Sequence, residues 1–336
     1  MKAMCLDRLG PLAELPGPLS RRDLPDPVPR AGEVLVRVAV CGVCHTELDE
    51  IEGRTPPPRL PVVPGHQVVG RVAALGDRVT DLAVGDRVGV GWIWQSSGAA
   101  DENLSPKFLA TGRDVNGGYA ELMTVPAAYA VPLPAVFRDA EAAPLLCAGA
   151  VGYRALRLCE LNDGEPLGLT GFGASAHLVL QLARHRYPNS RIHVFARDRG
   201  QREFARELGA AWAGDTRERA PEQLAAIIDT TPAWQPVVEA LANLRPGGRL
   251  VINAIRKQDD DKDALLGLSY REHLWLEREV KSVANVTVAD LRDCLALAAE
   301  ARLRPEVTTF PLAAANAALH ELARGGGRGA KVLQIG

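Results

Sequence analysis

The 336-residue chain carries 39 Lys and Arg against 41 Asp and Glu, with 47% hydrophobic and only 5% aromatic residues. Its length exceeds one ordinary core and sets an expectation of two domains, while near-neutral charge and few aromatics argue against a nucleic-acid surface. Six cysteines are too few for a disulfide scaffold, no segment reads as a membrane span, and the opening MKAMCLDRLG lacks the apolar run of a signal peptide, so the expected compartment is the cytoplasm.

The first part reads as short strands separated by Pro and Gly. EVLVRVAV (33–40) alternates and is rich in β-branched residues; VVGRVAALG (68–76) and GDRVGV (85–90) read likewise. Closely spaced strands of this kind predict a compact, barrel-like β domain. From EAAPLLCAGAVGYRALRL (141–158) onward, apolar residues fall at helical spacing.

Strand and helix then alternate. The predicted strands are PLGLTGFGAS (166–175, running into a glycine turn), RIHVFAR (191–197), AAIIDTT (225–231) and GRLVINA (248–254). The predicted helices are AHLVLQLARHR (176–186), GQREFARELGA (200–210) and PVVEALANL (236–244). This is the pattern of an α/β, Rossmann-type, doubly wound parallel sheet. Helices at 289–303 and 313–326 and a strand at 330–336 close the chain, and the run Asp259–Asp263 reads as a solvated loop. The expected division is 1–148 with 287–336 in one domain and 149–286 in the other.

Gly171-Phe172-Gly173-Ala174-Ser175-Ala176 follows a strand and opens a helix, which is where G-x-G-x-x-G/A has meaning. Gly171 permits the tight turn, Gly173 lets backbone approach a pyrophosphate, and Ala176 keeps helix and strand close. The helix N-terminus supplies amide donors to phosphate. At the end of the next strand an NAD site usually has an acid for the ribose 2′-hydroxyl. Here Ala196 stands in its place and Arg197 follows, which favours NADP(H) over NAD(H) through a charge-assisted bond to a 2′-phosphate. The competing readings are that the arginines are solvated surface or that Asp198 reaches the ribose.

Cys41, Cys44, His66 and Cys147 are potential metal ligands, but their spacing alone proves none. Together with the motifs around them they carry a resemblance. CGVCHT (41–46), GH (65–66), GDRV (85–88), GGYAE (117–121), LLCAG (145–149), the glycine turn and GAKVL (329–333) come in the order seen in zinc-dependent alcohol dehydrogenases of the medium-chain dehydrogenase/reductase family. The chain resembles that family over nearly its whole length. The resemblance implies a GroES-like catalytic domain beside the Rossmann domain, and zinc-dependent hydride transfer between a nicotinamide dinucleotide and a small alcohol, aldehyde or ketone. It assigns one catalytic zinc to Cys44, His66 and Cys147. Three protein ligands leave a fourth position open, as catalytic rather than structural zinc requires.

The resemblance also gives Thr46 the hydroxyl that bonds the substrate oxygen, Glu47 the carboxylate that orients the metal histidine, His45 a contact to the cofactor pyrophosphate, and Trp92 a place in the substrate pocket. Cys41 is read as a buried small residue and Trp94 as packing. Four departures from the family stand out. Gln67 replaces a Glu after the metal histidine, and Asp49 replaces a histidine that ends the proton relay. The segment 91–117 lacks the cysteines of a second, structural zinc. Ala330 replaces an arginine that touches cofactor phosphates, with Arg328 or Lys331 as substitutes. A homo-oligomer, dimer or tetramer, is expected. A zinc-free quinone or enoyl reductase of the same superfamily, and a non-catalytic NADP(H)-binding relative, are the alternatives.

Overall fold

The computed structural model describes residues 1–325 and 328–336. The predicted helix at 313–326 therefore has its last residue outside the described residues. In chain order, β1 (Lys2–Leu6) and β2 (Leu19–Asp23) form an antiparallel ribbon, followed by β3 (Glu33–Val43), α1 (His45–Ile51), β4 (Val68–Leu75), β5 (Arg87–Val90), β6 (Ile93–Gln95), β7 (Leu109–Ala110), β8 (Leu122–Pro126) and β9 (Val131–Pro132). Next come α2 (Asp139–Ala142), α3 (Ala148–Leu158), β10 (Leu167–Thr170), α4 (Ala176–Arg186), β11 (Ile192–Phe195), α5 (Arg199–Glu207), β12 (Trp212–Gly214), β13 (Leu224–Asp229), α6 (Gln235–Asn243), β14 (Leu244–Ile252) and β15 (Glu279–Ser282). The chain ends with α7 (Val288–Glu300), β16 (Val307–Pro311), α8 (Ala315–Arg324) and β17 (Ala330–Gln334).

Two compact units result: Met1–Cys147 with Asn285–Gly336, and Ala148–Ala284. The first is built around the sheet β16-β17-β3-β4-β5-β9, with β8 on β3. Along β3, Val34, Val36, Val38 and Val40 are buried while Arg37 is exposed, the alternation of a half-buried strand. From Val40 to Val43 every residue is buried, so the strand leaves the surface and enters the core just before Cys44.

The second unit is a parallel sheet of order β12-β11-β10-β13-β14-β15 among the described residues. Residues of β10, β11 and β13 are buried throughout, as a sheet covered on both faces requires. Phe195, Leu224, Ile227, Val237, Leu241 and Leu250 form its core. The order reverses between β10 and β13, which marks the ligand crevice of a doubly wound sheet.

Two predicted segments differ from what forms. The helical reading of 141–158 breaks: α2 ends at Ala142, a 3-10 turn covers Ala143–Leu146, and Cys147 has φ −133° and ψ −76° before α3 starts. Pro144 has no N–H for a continuous ladder. The acidic run is not wholly solvated. Asp261 accepts hydrogen bonds from Trp234 N at 2.9 Å and Gln235 N at 2.8 Å, which caps α6.

Between β5 and β8 the cysteine-free segment folds as the small β6–β7 ribbon. Its anchor is Glu102, which is buried. One carboxylate oxygen accepts from Tyr129 Oη at 2.9 Å, and the other from Val288 N at 2.8 Å. No helix among the described residues is long and apolar enough to cross a membrane.

Candidate active site

Cys44 is the N-cap of α1, extended at φ −127° and ψ 163°. Its N–H donates to Glu47 Oε2 at 2.7 Å, so Glu47 ties down the helix start. The other oxygen, Glu47 Oε1, lies 2.6 Å from His66 Nδ1, though out of line for a straight hydrogen bond. Both side chains are essentially inaccessible. With Nδ1 turned toward Glu47, the Nε2 of His66 faces Cys147 Sγ at 3.3 Å. Cys147 Sγ is 4.0 Å from Cys44 Sγ. The break before α3 thus turns the Cys147 sulfur toward the end of β3.

Cys44, His66 and Cys147 place their ligand atoms within 4.8 Å of one another. A tetrahedral zinc with ordinary bond lengths separates two sulfurs by about 3.8 Å and sulfur from imidazole nitrogen by about 3.6 Å. The spacings here, 4.0 and 3.3 Å, fit that set. The electrostatics agree. The hydrogen bond with Cys147 and the neighbouring His66 hold the Cys44 thiol well below its usual range. Sharing that proton and burial push the Cys147 thiol well up. Burial opposes a charge on His66, but the Glu47 carboxylate and the Cys44 sulfur outweigh it and raise the ring. Burial raises Glu47. Three soft or basic donors thus compete for protons in one buried spot, and a dication relieves all of them.

Thr46 is buried, with Oγ1 3.6 Å from Cys44 Sγ. His45 is exposed. Asp49 does not stand free, because its Oδ1 accepts from Arg54 Nε at 2.6 Å. The Gln67 side chain rests on Gly42, where a Cβ would come within 2.4 Å of Gln67 Oε1. Cys41 is buried and outside the cluster. Trp92 has its ring centroid 6.2 Å from that of His66. Phe108 packs on that indole at 5.6 Å and the Arg113 guanidinium lies 5.7 Å from its centroid. Sequence reasoning missed both. The only signal was their place in a segment read for its lack of cysteines. Trp94 donates to Thr124 O at 3.0 Å and belongs to the packing.

In the second unit, Gly171 has φ +74°, a conformation that favours glycine, and its N–H donates to Phe195 O at 2.8 Å. A Cβ on Gly173 would meet nothing within 4 Å, so the turn presents bare backbone to open space, the cradle a pyrophosphate needs. Ala176 is fully buried under the turn. Ser175 is engaged, donating to Ala148 O at 2.9 Å and accepting from Asn253 Nδ2 at 3.2 Å. Ala174 is half-buried.

Beyond β11, Ala196 is buried and Arg197 exposed. Asp198 is the N-cap of α5 and accepts from Gln201 N at 2.8 Å. Arg202 is spent on the carbonyls of Ala196 and Arg197, at 2.7 and 2.8 Å, and Arg199 on Glu203. Of the two proposed substitutes for Ala330, Lys331 is buried and bound to Glu321 Oε1 at 2.6 Å, while Arg328 lies 3.9 Å from Glu306.

Comparison with known proteins places the whole chain among dehydrogenases. Residues 30–135 match an alcohol dehydrogenase GroES-like domain and residues 179–333 a zinc-binding dehydrogenase domain. A probable alcohol dehydrogenase of Mycobacterium tuberculosis is 42% identical, over 100% of this chain and 97% of its own length. An alcohol dehydrogenase of Geobacillus stearothermophilus is 31% identical, over 94% of this chain and 96% of its own. Among solved structures, a cinnamyl alcohol dehydrogenase of Sorghum bicolor is 25% identical with a TM-score of 0.82, covering 99% and 97% of the two chains. An NAD-dependent alcohol dehydrogenase at 23% identity superposes with a TM-score of 0.88 over 100% of both.

Proposed function

Because the chain belongs to the zinc-binding alcohol dehydrogenases of the medium-chain dehydrogenase/reductase family, we propose that Cys44, His66 and Cys147 are the ligands of a single catalytic zinc. The family's activity is this chain's activity: hydride exchange between a nicotinamide dinucleotide and a small alcohol, aldehyde or ketone. The observation that carries the ligand assignment is the convergence of those ligand atoms within 4.8 Å, with Glu47 buried behind His66. A zinc-free reductase has no use for such a cluster.

Bound there, zinc supplies a Lewis acid that polarises the substrate oxygen, and the dinucleotide supplies or receives hydride. The protein does the rest. Glu47 fixes the His66 tautomer so that Nε2 is the ligating nitrogen. Thr46 offers the substrate oxygen a hydroxyl and is the first stop for its proton. Asp49 is the outer carrier, and its hydrogen bond from Arg54 holds the carboxylate in place. Gln67 sets a neutral amide directly after the ligating histidine, where a Glu would bring a charge. Trp92, backed by Phe108 and Arg113, forms a stiff wall that selects slim substrates.

The cofactor is NADP(H) in preference to NAD(H). Asp198, the acid nearest the ribose position, is occupied in capping α5, while Arg197 is exposed. The backbone of Gly171, Gly173 and Ala174 takes the pyrophosphate. The protein works in the cytoplasm as a homo-oligomer. The edge strand β15 supports the latter, being exposed along its length with Trp275 and Leu276 exposed beside it.

The test is aldehyde reduction by the purified enzyme with NADPH and NADH, with metal content measured on the same sample. One zinc per chain, loss of turnover on chelation, and a lower KM for NADPH are expected. Arg197→Ala should raise the KM for NADPH roughly tenfold and leave that for NADH unchanged. Turnover by chelated, zinc-free protein sinks the ligand assignment, and a lower KM for NADH sinks the cofactor assignment.

A further inference from the structure

The crevice between β10 and β13 holds a buried ion pair that the metal chemistry does not use. Asp229 ends β13, opposite Thr170 in the parallel register, and is fully buried. Its Oδ1 accepts from the Thr170 hydroxyl, from Thr231 Oγ1 at 2.8 Å and from Thr231 N at 3.2 Å. Its Oδ2 meets Nζ of Lys257, which arrives on the loop after β14. The lysine side chain is only 7% exposed. Nζ also donates to Thr231 O at 2.8 Å and Ala233 O at 2.9 Å, so all three ammonium protons are used.

These bonds lace two loops together. Gln258 N donates to Pro232 O at 2.7 Å and Asn253 N to Asp229 O at 2.8 Å along the same seam. The laced loop backs directly on the glycine turn. A Cβ on Gly171 would lie 2.9 Å from Thr231 Cγ2 and 3.0 Å from Thr230 Oγ1, and Thr230 Oγ1 donates to Thr170 O at 2.8 Å.

A buried ion pair is weak as a source of stability, because removing two charges from water offsets most of their attraction. Its position is more informative. In a doubly wound sheet the strands on one side of the reversal serve one mononucleotide and those on the other side serve the second. Here β10, β11 and β12 form the half that carries the glycine turn and Arg197, and β13, β14 and β15 form the other. Lys257 ties together only loops of that other half, and it cancels a carboxylate that would otherwise sit beneath an anionic ligand.

We propose that Lys257 is a positioning residue for the nicotinamide half of the dinucleotide, acting through the 230–233 loop that it holds against the glycine turn. The proposal rests on the dinucleotide reading above.

Lys257→Met alone leaves the Asp229 carboxylate buried without its counter-charge and can cost the fold. The double variant Lys257→Met/Asp229→Asn therefore carries the test. The amide introduced at position 229 keeps an oxygen for Thr170 and Thr231, while the lysine's ties to residues 231 and 233 are gone. Titration calorimetry on the zinc-loaded proteins would measure NADPH, NADH and two adenine-half fragments, 5′-AMP and adenosine 2′,5′-bisphosphate. In the double variant we expect the Kd of the preferred dinucleotide to rise roughly tenfold, fragment Kd values and Tm to stay near wild type, and the KM for aldehyde to hold. Wild-type dinucleotide affinity in the double variant overturns the proposal. So does equal weakening of fragments and dinucleotide, which is what a merely structural pair predicts. Wild-type protein that binds neither fragments nor dinucleotide overturns the dinucleotide reading itself, and this proposal with it.

Discussion

On the proposed assignments, the metal site of the first unit works through atoms that side chains add, and the glycine turn of the second through atoms that are left out. Cys44, His66 and Cys147 come from three distant segments, and a single carboxylate, Glu47, both starts α1 and fixes His66. The turn at Gly171 and Gly173 is one contiguous stretch whose donors are backbone and whose fit depends on absent Cβ atoms. A site of the first kind fails when a side chain is shortened. A site of the second kind fails when one is lengthened. The two should therefore break under opposite substitutions, and each should leave the other intact.

The largest effect should come from Cys44→Ala. Removing one of three ligands should lower kcat/KM by about a thousandfold, several kcal/mol at roughly 1.4 kcal/mol per decade. Zinc content should fall with it while dinucleotide binding persists. Full zinc occupancy and activity in this variant would separate the cluster from the chemistry. Glu47→Gln is gentler, because the amide still holds the helix start but no longer draws the imidazole N–H. Zinc affinity should drop by about 10- to 100-fold, read by competition with a chromogenic chelator. An unchanged affinity would make Glu47 a helix cap and nothing more.

How much of this was legible depended on how local the signal was. The alternation in β3 and the strand–helix series from β10 onward are set by residues two to four apart, and the chain wrote them openly. The proposed metal set could be suggested only through a resemblance spread along the whole sequence, since Cys44 and Cys147 stand 103 residues apart. Apolar spacing at 141–158 looked like one helix because a 3-10 turn buries the same kinds of residue; only Pro144 hinted at the break that aims Cys147. Phe108 and Arg113 on Trp92 and Lys257 reaching 28 residues back to Asp229 are tertiary facts. No periodicity announces them.

The opposite substitution probes the turn. Gly173→Val adds atoms where a Cβ meets only open space, so the fold should tolerate it and Tm should barely move. The dinucleotide should not. A side chain in the cradle should raise its Kd about tenfold, near 1.4 kcal/mol, with zinc content unchanged. A loss of Tm matching the loss of affinity would mean that the turn is held by packing and that the contrast with the metal end is false.

The smallest effect at neutral pH comes from His177, on the first turn of α4. Its Nδ1–H donates to Gly173 O at 3.1 Å, and Nε2 is buried without a hydrogen-bond partner among the described residues. Burial lowers its pKa from 6.5 to about 4. Above pH 6.5 the ring is neutral both folded and unfolded, so its titration contributes nothing to the pH dependence. As pH falls from 6.5 toward 4 the unfolded chain takes up a proton that the native ring refuses. Stability is then lost at up to about 1.4 kcal/mol per pH unit, or about 3 kcal/mol across the window, and the loss levels off below it. Urea midpoints measured at half-unit steps should show this acid limb in the wild type and a shallower one in His177→Leu. Parallel limbs would mean that His177 protonates freely in the native state, and that the backbone under the dinucleotide is looser than its hydrogen bonds imply.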